Sequence, residues 1–205
     1  MIAHVLSLLL LVVLPAPADA QSTGAPAFAV GDTWTLSNGL VQTVVKVEGD
    51  MTVMKGFGNC PTCLVYFDKN YVLIKVEQAD GTPPDPAAIG LVPMGSEWKM
   101  FDFPLQVGKK WNIAANGHFR NDLLHFNGAM TIQAYEGVAT KAGTFKAFKI
   151  SRDWSVTTPS NSGGRGFSFS TTEWYAPDVK RIVKYTTTAT NPNQKDWELV
   201  SYTVK

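Results

Sequence analysis

Val30-Gly31-Asp32-Thr33-Trp34 and Val107-Gly108-Lys109-Lys110-Trp111 are two copies of one five-residue frame. A second similarity follows each frame. Residues 66–76 and 174–184 both contain an aromatic pair, a turn with Asp, and a strand of aliphatic residues that carries Lys. The chain therefore predicts one β-unit used twice, as pseudo-repeats 28–95 and 103–205, within a single β-rich domain that spans residues 21–205.

The apolar residues recur with a period of two rather than 3.6. In residues 41–48, 72–77 and 200–204, aliphatic and aromatic side chains alternate with polar ones, which is typical of half-buried antiparallel strands. Asn-Gly pairs at residues 38–39, 116–117 and 127–128 are typical of turns. We expect an all-β protein of about ten to twelve short strands, as an antiparallel curved sheet, a sandwich or a partly open barrel.

The N-terminus predicts export. Residues 5–14 form an apolar run that is too short to span a bilayer, and Ala18-Asp19-Ala20 fits a signal-peptidase site. Residues 1–20 are therefore predicted to be a signal peptide, which places the mature protein in the periplasm or outside the cell. No later stretch is long and apolar enough to predict a transmembrane helix.

Charge argues against two classes of partner. The chain has 18 Lys and Arg and 17 Asp and Glu, a formal net charge of +1, which is too weak for electrostatic capture of nucleic acid or an anionic membrane. No sequence motif predicts a cofactor. Three segments are expected to be irregular: the polar residues 21–27, residues 79–96 with their four prolines, and residues 158–166, which are rich in Gly and Ser.

The second pseudo-repeat resembles a pattern in exported bacterial proteins. Its matching segments are Phe103-Pro104-Leu105-Gln106-Val107-Gly108-Lys109-Lys110-Trp111, Tyr135-Glu136-Gly137-Val138, Ala142-Gly143-Thr144-Phe145-Lys146-Ala147-Phe148-Lys149-Ile150 and Glu173-Trp174-Tyr175-Ala176-Pro177. Over residues 103–205 the chain resembles the TapB-like proteins and related uncharacterised exported β-domains. Those proteins have Pro where this chain has Lys141. The resemblance implies an antiparallel β-fold at the cell envelope, and it transfers no catalytic residues.

Cys60-Pro61-Thr62-Cys63 contains both cysteines of the chain. In an exported protein this spacing predicts a disulfide. A redox-active dithiol is the alternative, but such a site needs the motif at the start of a helix after a strand, whereas here an apparent strand follows it. We therefore expect a structural disulfide between Cys60 and Cys63.

Two histidines are weak candidates for a metal site. A two-residue turn at Asn121-Asp122 would place His118 opposite His125 on neighbouring strands. No third ligand is evident nearby, and the spacing exceeds the usual one for zinc. We expect no metal site here.

The remaining candidates are aromatic residues and scattered acids. Trp174 and Tyr175 are the best candidates for ligand contact, because adjacent strand residues face opposite sides of a sheet and one of them must point away from the core. Carboxylates such as Glu136, Glu173 and Asp178 have no motif that joins them into a hydrolytic pair.

The sequence favours a non-catalytic protein of the bacterial envelope. It would bind an apolar or carbohydrate ligand, or an envelope partner. The alternative from another class is an enzyme, either a thiol oxidoreductase that uses Cys60 and Cys63 or a hydrolase with dispersed carboxylates. A subunit of a larger envelope assembly, held through an exposed edge strand, is a third possibility.

Overall fold

The computed structural model describes residues 22–85, 98–119, 122–158, 164, 166–190 and 195–205. The predicted signal peptide, much of the proline-containing segment and much of the 158–166 loop lie outside these residues. The strands are β1 (Ser22–Thr23), β2 (Thr33–Leu36), β3 (Val41–Glu48), β4 (Met51–Phe57), β5 (Cys60–Phe67), β6 (Leu73–Glu77), β7 (Leu105–Gln106), β8 (Lys110–Phe119), β9 (Asp122–Thr140), β10 (Gly143–Thr157), β11 (Gly166–Ala176), β12 (Arg181–Thr187) and β13 (Trp197–Thr203).

Eleven of these strands form one antiparallel sheet in the order β6-β5-β4-β3-β2-β13-β12-β11-β10-β9-β8. Strand β13 lies between β2 and β12, so the C-terminal strand joins the first pseudo-repeat to the second. Among the strands of the described residues, β6 and β8 each have one neighbour, and the sheet is therefore open rather than a closed barrel. Strands β1 and β7 form a separate pair, and a short 3-10 helix, Pro177–Val179, is the one helix within the described ranges. The all-β prediction is confirmed.

The two five-residue frames have the same backbone hydrogen bonds. Gly31 N donates to Val44 O, and Val44 N donates to Asp32 O; in the second frame Gly108 N donates to Ile132 O, and Ile132 N donates to Lys109 O. Both glycines have a positive φ, of 94° and 88°, which residues with a Cβ adopt only with strain. The two five-residue frames therefore adopt the same turn geometry.

The second sequence similarity, between residues 66–76 and 174–184, also corresponds to a shared turn geometry. The turn between β5 and β6 ends at Tyr71 with a φ of 62°, and the turn between β11 and β12 ends at Lys180 with a φ of 58°. Tyr71 N donates to Asp68 O, and Lys180 N donates to Pro177 O, both at 3.0 Å. Each turn closes with a non-glycine residue in the left-handed region, whose N–H is donated to the carbonyl three residues earlier.

Polar contacts join the frame at residues 30–34 to the turn at residues 177–180. Trp34 is fully buried, and its indole Nε1 donates to the Val179 carbonyl at 2.7 Å. The Lys180 ammonium lies 2.9 Å from the carboxylate of Asp32, which is also fully buried. A buried carboxylate needs partners of this kind to offset the loss of water. These contacts span about 145 residues of chain and hold the pseudo-repeats together.

Aromatic rings connect the cores of the pseudo-repeats. Phe28 contacts Trp34 and Tyr71, Tyr71 stacks on Phe101 at 5.4 Å, and Phe101 contacts Tyr175 at 5.1 Å. One continuous cluster of buried apolar residues runs from Trp34 in β2 to Leu199 in β13. The two halves therefore share one hydrophobic core.

The structure corrects two predicted turns. The Asn-Gly pairs at residues 116–117 and 127–128 lie inside β8 and β9, whereas the pair at 38–39 forms the turn between β2 and β3. A Cβ at Gly128 would lie 2.7 Å from both Met130 Cε and Trp154 Cζ3. Gly128 thus makes room for a core tryptophan and does not turn the chain.

Candidate ligand-binding groove

Strands β8 to β12 expose a polar face on the side opposite the core. On β10 the residues Phe148, Ile150, Arg152, Trp154 and Val156 are buried, while the alternate residues point outward. The strand register arranges the outward residues in rows across the sheet. Two of these rows are Asn112, Ala129, Asp153 and Ser170, followed by Ala114, Asn127, Ser155 and Ser168. We call this surface the outer face.

A groove of about 690 Å³ lies along these two rows and reaches Thr188 beyond β12. Its outward-facing side chains are small, being Ala, Ser, Asn, Asp and Thr, and Ile113, Trp154 and Phe169 also contribute to the lining. Small side chains on neighbouring strands leave space that longer ones would fill. The hollow is thus shaped by side-chain size and opens to solvent.

Part of the groove is held rigid by internal hydrogen bonds. Ser170 Oγ donates to Asp153 Oδ1 at 2.6 Å, and Ser170 N donates to Thr188 Oγ1 at 2.8 Å. The side chains of Asn127 and Ser155 form no hydrogen bond with other described residues. The groove therefore presents amide and hydroxyl groups whose hydrogen-bonding capacity is free for a ligand.

Trp174 lies on the outer face four residues along β11 from Ser170. The ring is partly exposed, and its Nε1 donates to Glu136 Oε1 at 2.9 Å. The ammonium groups of Lys149 and Lys184 each lie 5.7 Å from the ring centroid. The tryptophan is therefore held in a polar, charged setting at one end of this face.

Tyr175 points the opposite way, into the core. It is 1% exposed and contacts the rings of Phe101 and Phe103, and burial raises the pKa of its hydroxyl. Of the predicted pair, Trp174 alone lies on the outer face.

The structure does not place His118 opposite His125. The register pairs His118 with Leu123 and His125 with Asn116, because Phe119 pairs with Asp122 rather than with Leu124. His125 Nδ1 lies 2.6 Å from Asn116 Oδ1, within hydrogen-bond distance. The predicted facing pair is wrong. Within the described ranges no three His, Cys, Asp or Glu side chains group around a possible metal position.

Cys60 and Cys63 form a disulfide at the start of β5. Cys63 is fully buried and Cys60 is partly exposed. The two cysteines sit in the hairpin between β4 and β5, in a different part of the sheet from the groove.

The three scattered carboxylates do not form one site. Glu173 is 3% exposed and faces the core, where it lies beside Arg152; burial raises the pKa of its carboxyl despite the lowering effect of that arginine. Glu136 accepts its hydrogen bond from Trp174 on the other face. Asp178 is exposed in the 3-10 helix.

The comparisons with known proteins find similar structures. No family model matches the chain, and no curated protein matches it. A proposed lipoprotein from Parabacteroides distasonis is 14% identical with a TM-score of 0.48, covering 89% of this chain and 100% of that chain. The hypothetical lipoprotein YmcC from Escherichia coli is 10% identical with a TM-score of 0.41, covering 91% of each chain.

A third similar structure is that of a proposed exported protein from Bacteroides fragilis, which has a YmcC-like fold. It is 13% identical with a TM-score of 0.41, and the match covers 89% of this chain and 100% of that chain. The resemblance of residues 103–205 to TapB-like proteins stays a prediction. No helix in the described part of the chain is long and apolar enough to cross a membrane.

Proposed function

We propose that this chain is an exported, non-catalytic protein of the bacterial envelope that binds a carbohydrate in the groove of the outer face. The observation that carries this proposal is the groove of about 690 Å³ with its Ser, Thr, Asn and Asp side chains. Hydroxyl, amide and carboxylate groups hydrogen-bond to sugar hydroxyls as donors and acceptors. An apolar ligand would instead leave these polar groups unpaired, which costs free energy.

Export is supported by the signal-peptide pattern and by the disulfide, because disulfides persist in oxidising compartments. The non-catalytic part of the proposal is supported by the separation of Glu136 and Glu173 on opposite faces of the sheet. The alternative of thiol oxidoreductase activity is tested by insulin reduction. Equal rates for wild type and the Cys60→Ser variant would reject that alternative.

Titration calorimetry with a panel of neutral and acidic oligosaccharides tests the proposed function. A large side chain in the groove should exclude a sugar, so Ser155→Trp is the test variant. Ser201→Trp is the matched control, since Ser201 is equally an exposed strand serine and lies in β13, outside the groove. We expect wild type and Ser201→Trp to bind alike and Ser155→Trp to lose binding. Binding that survives in Ser155→Trp, or no binding of any oligosaccharide by wild type, would overturn the proposal.

A further inference from the structure

Trp174 is flanked by a lysine on each neighbouring strand. The register pairs Trp174 with Lys149 on β10 and with Lys184 on β12, and each ammonium lies 5.7 Å from the ring centroid. In the described ranges, neither lysine has a carboxylate within salt-bridge distance. Two cations thus lie at one aromatic ring without a salt bridge, an arrangement that leaves both charges available to an anion.

Glu136 fixes the ring without neutralising the pair. Its Oε1 accepts the Trp174 Nε1–H at 2.9 Å, and this bond sets the orientation of the indole. Glu198 lies opposite Lys184 on β13, with its carboxylate 3.8 Å from the Lys141 ammonium. The three lysines and two glutamates together leave a local excess of one positive charge. We call Trp174, Lys149, Lys184 and Glu136 the cationic end of the outer face.

The cationic end is continuous with the groove. Between them the strand register places one further row across β10, β11 and β12, which consists of Ser151, Thr172 and Thr186. Four residues separate Lys149 from Asp153 on β10, a distance of about 13 Å along a strand. A chain of several linked sugars is long enough to extend from the groove over this hydroxyl row to the two lysines.

We propose that the ligand is an acidic oligosaccharide, whose carboxylate is received by Lys149 and Lys184 while neighbouring sugars lie in the groove. The proposal rests on the proposed function, since it specifies the class of sugar that the same face binds. Charge complementarity selects the occupant, because the lysines attract a carboxylate and Trp174 offers a ring against which a sugar packs. Asp153 in the groove repels a second carboxylate there. The acidic unit is thereby directed to the Trp174 end.

Xylo-oligosaccharides that carry a single glucuronic acid at one end and the same oligosaccharides with that carboxylate methyl-esterified provide the test. Esterification removes the charge and keeps the sugar hydroxyls. In titration calorimetry at low salt we expect the free acid to bind wild type about tenfold more tightly than the ester. In about 0.5 M salt, where the Debye length is roughly 4 Å, this preference should fall.

The test variant is Lys149→Gln with Lys184→Gln, which removes both charges and keeps side-chain length. We expect it to bind free acid and ester alike, with the affinity of wild type for the ester. Lys55→Gln with Lys69→Gln is the matched control, since both are exposed lysines of the first pseudo-repeat, and it should keep the preference. Replacement of Lys149 and Lys184 by Arg should restore it.

The outcomes separate the two proposals. If wild type binds free acid and ester equally, the acidic-sugar proposal is overturned while carbohydrate binding stands. If the Gln variant keeps the preference, the cationic end is not where the carboxylate binds and this proposal also fails. If neither form binds wild type, both proposals are rejected together.

Discussion

Arg152 Nη2 lies 2.7 Å from Glu173 Oε2 in the middle of the core. Arg152 is 0% exposed, and it also lies under the Phe101 ring at 5.1 Å. Its Nε and the buried Thr171 Oγ1 have no hydrogen-bond partner among the described residues. An ion pair with so few hydrogen bonds recovers little of the free energy that both charges lose when they leave water.

Removal of one member of this pair should therefore be costly. For Glu173→Gln and for Arg152→Met we expect the free energy of unfolding to fall by about 3–5 kcal/mol, because the remaining charge is buried alone. Urea unfolding followed by tryptophan fluorescence measures this. The double variant Arg152→Met with Glu173→Leu should recover most of the lost free energy of unfolding. A double variant less stable than either single one would contradict the explanation that the remaining charge is buried alone.

The buried carboxylate of Asp32 predicts a pH dependence of stability. Burial by itself raises the pKa of Asp32, but hydrogen bonds from Ala29 N, the Lys180 ammonium and Lys205 N outweigh it, and the pKa lies below its usual value. As the pH falls, the Asp32 carboxylate is therefore protonated at a higher pH in the unfolded chain than in the folded protein. The stabilisation is complete above roughly pH 5, and is lost as the pH falls through the folded-state pKa.

Asp32→Asn should be less stable than wild type by about 1–3 kcal/mol at pH 7. Thermal unfolding across an acid titration should show the two proteins converging as the pH decreases. The exposed Asp50→Asn controls for the loss of one acid. A difference between wild type and Asp32→Asn that stays constant with pH would refute the assigned role of Asp32.

Gly128 and Gly137 lie on the same strand and should respond differently to an added methyl group. At Gly128 a Cβ would meet Met130 Cε and the Trp154 ring at 2.7 Å, whereas no atom lies within 4 Å of a Cβ at Gly137. Gly128→Ala should cost about 1–3 kcal/mol through overpacking. Gly137→Ala should leave the urea midpoint unchanged or raise it slightly. Equal effects of the two substitutions would disprove the close-approach role of Gly128.

Reduction of the Cys60–Cys63 disulfide should change stability only modestly. Its loop is so short that the unfolded chain gains little freedom when the bond opens, and the loop-entropy estimate is about 2 kcal/mol at most. Urea unfolding with and without a reductant measures the difference. Complete unfolding on reduction at room temperature would mean that the disulfide holds more of the fold than this hairpin.

Much of the fold follows from local sequence. Period-two patterns predict the strands, and the repeated frames around Trp34 and Trp111 correspond to matching turns, because both signals depend on residues close in the chain. The turns predicted at residues 116–117 and 127–128 fail for a tertiary reason. Gly128 is required by Trp154 from another strand, and no local pattern contains that contact.

The groove is not predictable from one strand at a time. Asn127, Ser155 and Ser168 form a row only because three strands share one register, and a shift of one residue would send each of them to the core face. Strand alternation alone predicts that one of Trp174 and Tyr175 points away from the core. The buried position of Arg152 was also visible in principle, since it lies in phase with Ile150 and Trp154.

Mapping of backbone amide chemical shifts by NMR during titration with a xylo-oligosaccharide that carries one glucuronic acid tests carbohydrate binding in the groove most directly. We expect the shifting amides to cluster on β8 to β12, around Asn127, Ser155, Ser168 and Trp174, and those of β3 to β6 to stay unchanged. Shifts confined to the first pseudo-repeat, or no shifts at saturating ligand, would contradict the assignment of the outer-face groove as a carbohydrate site.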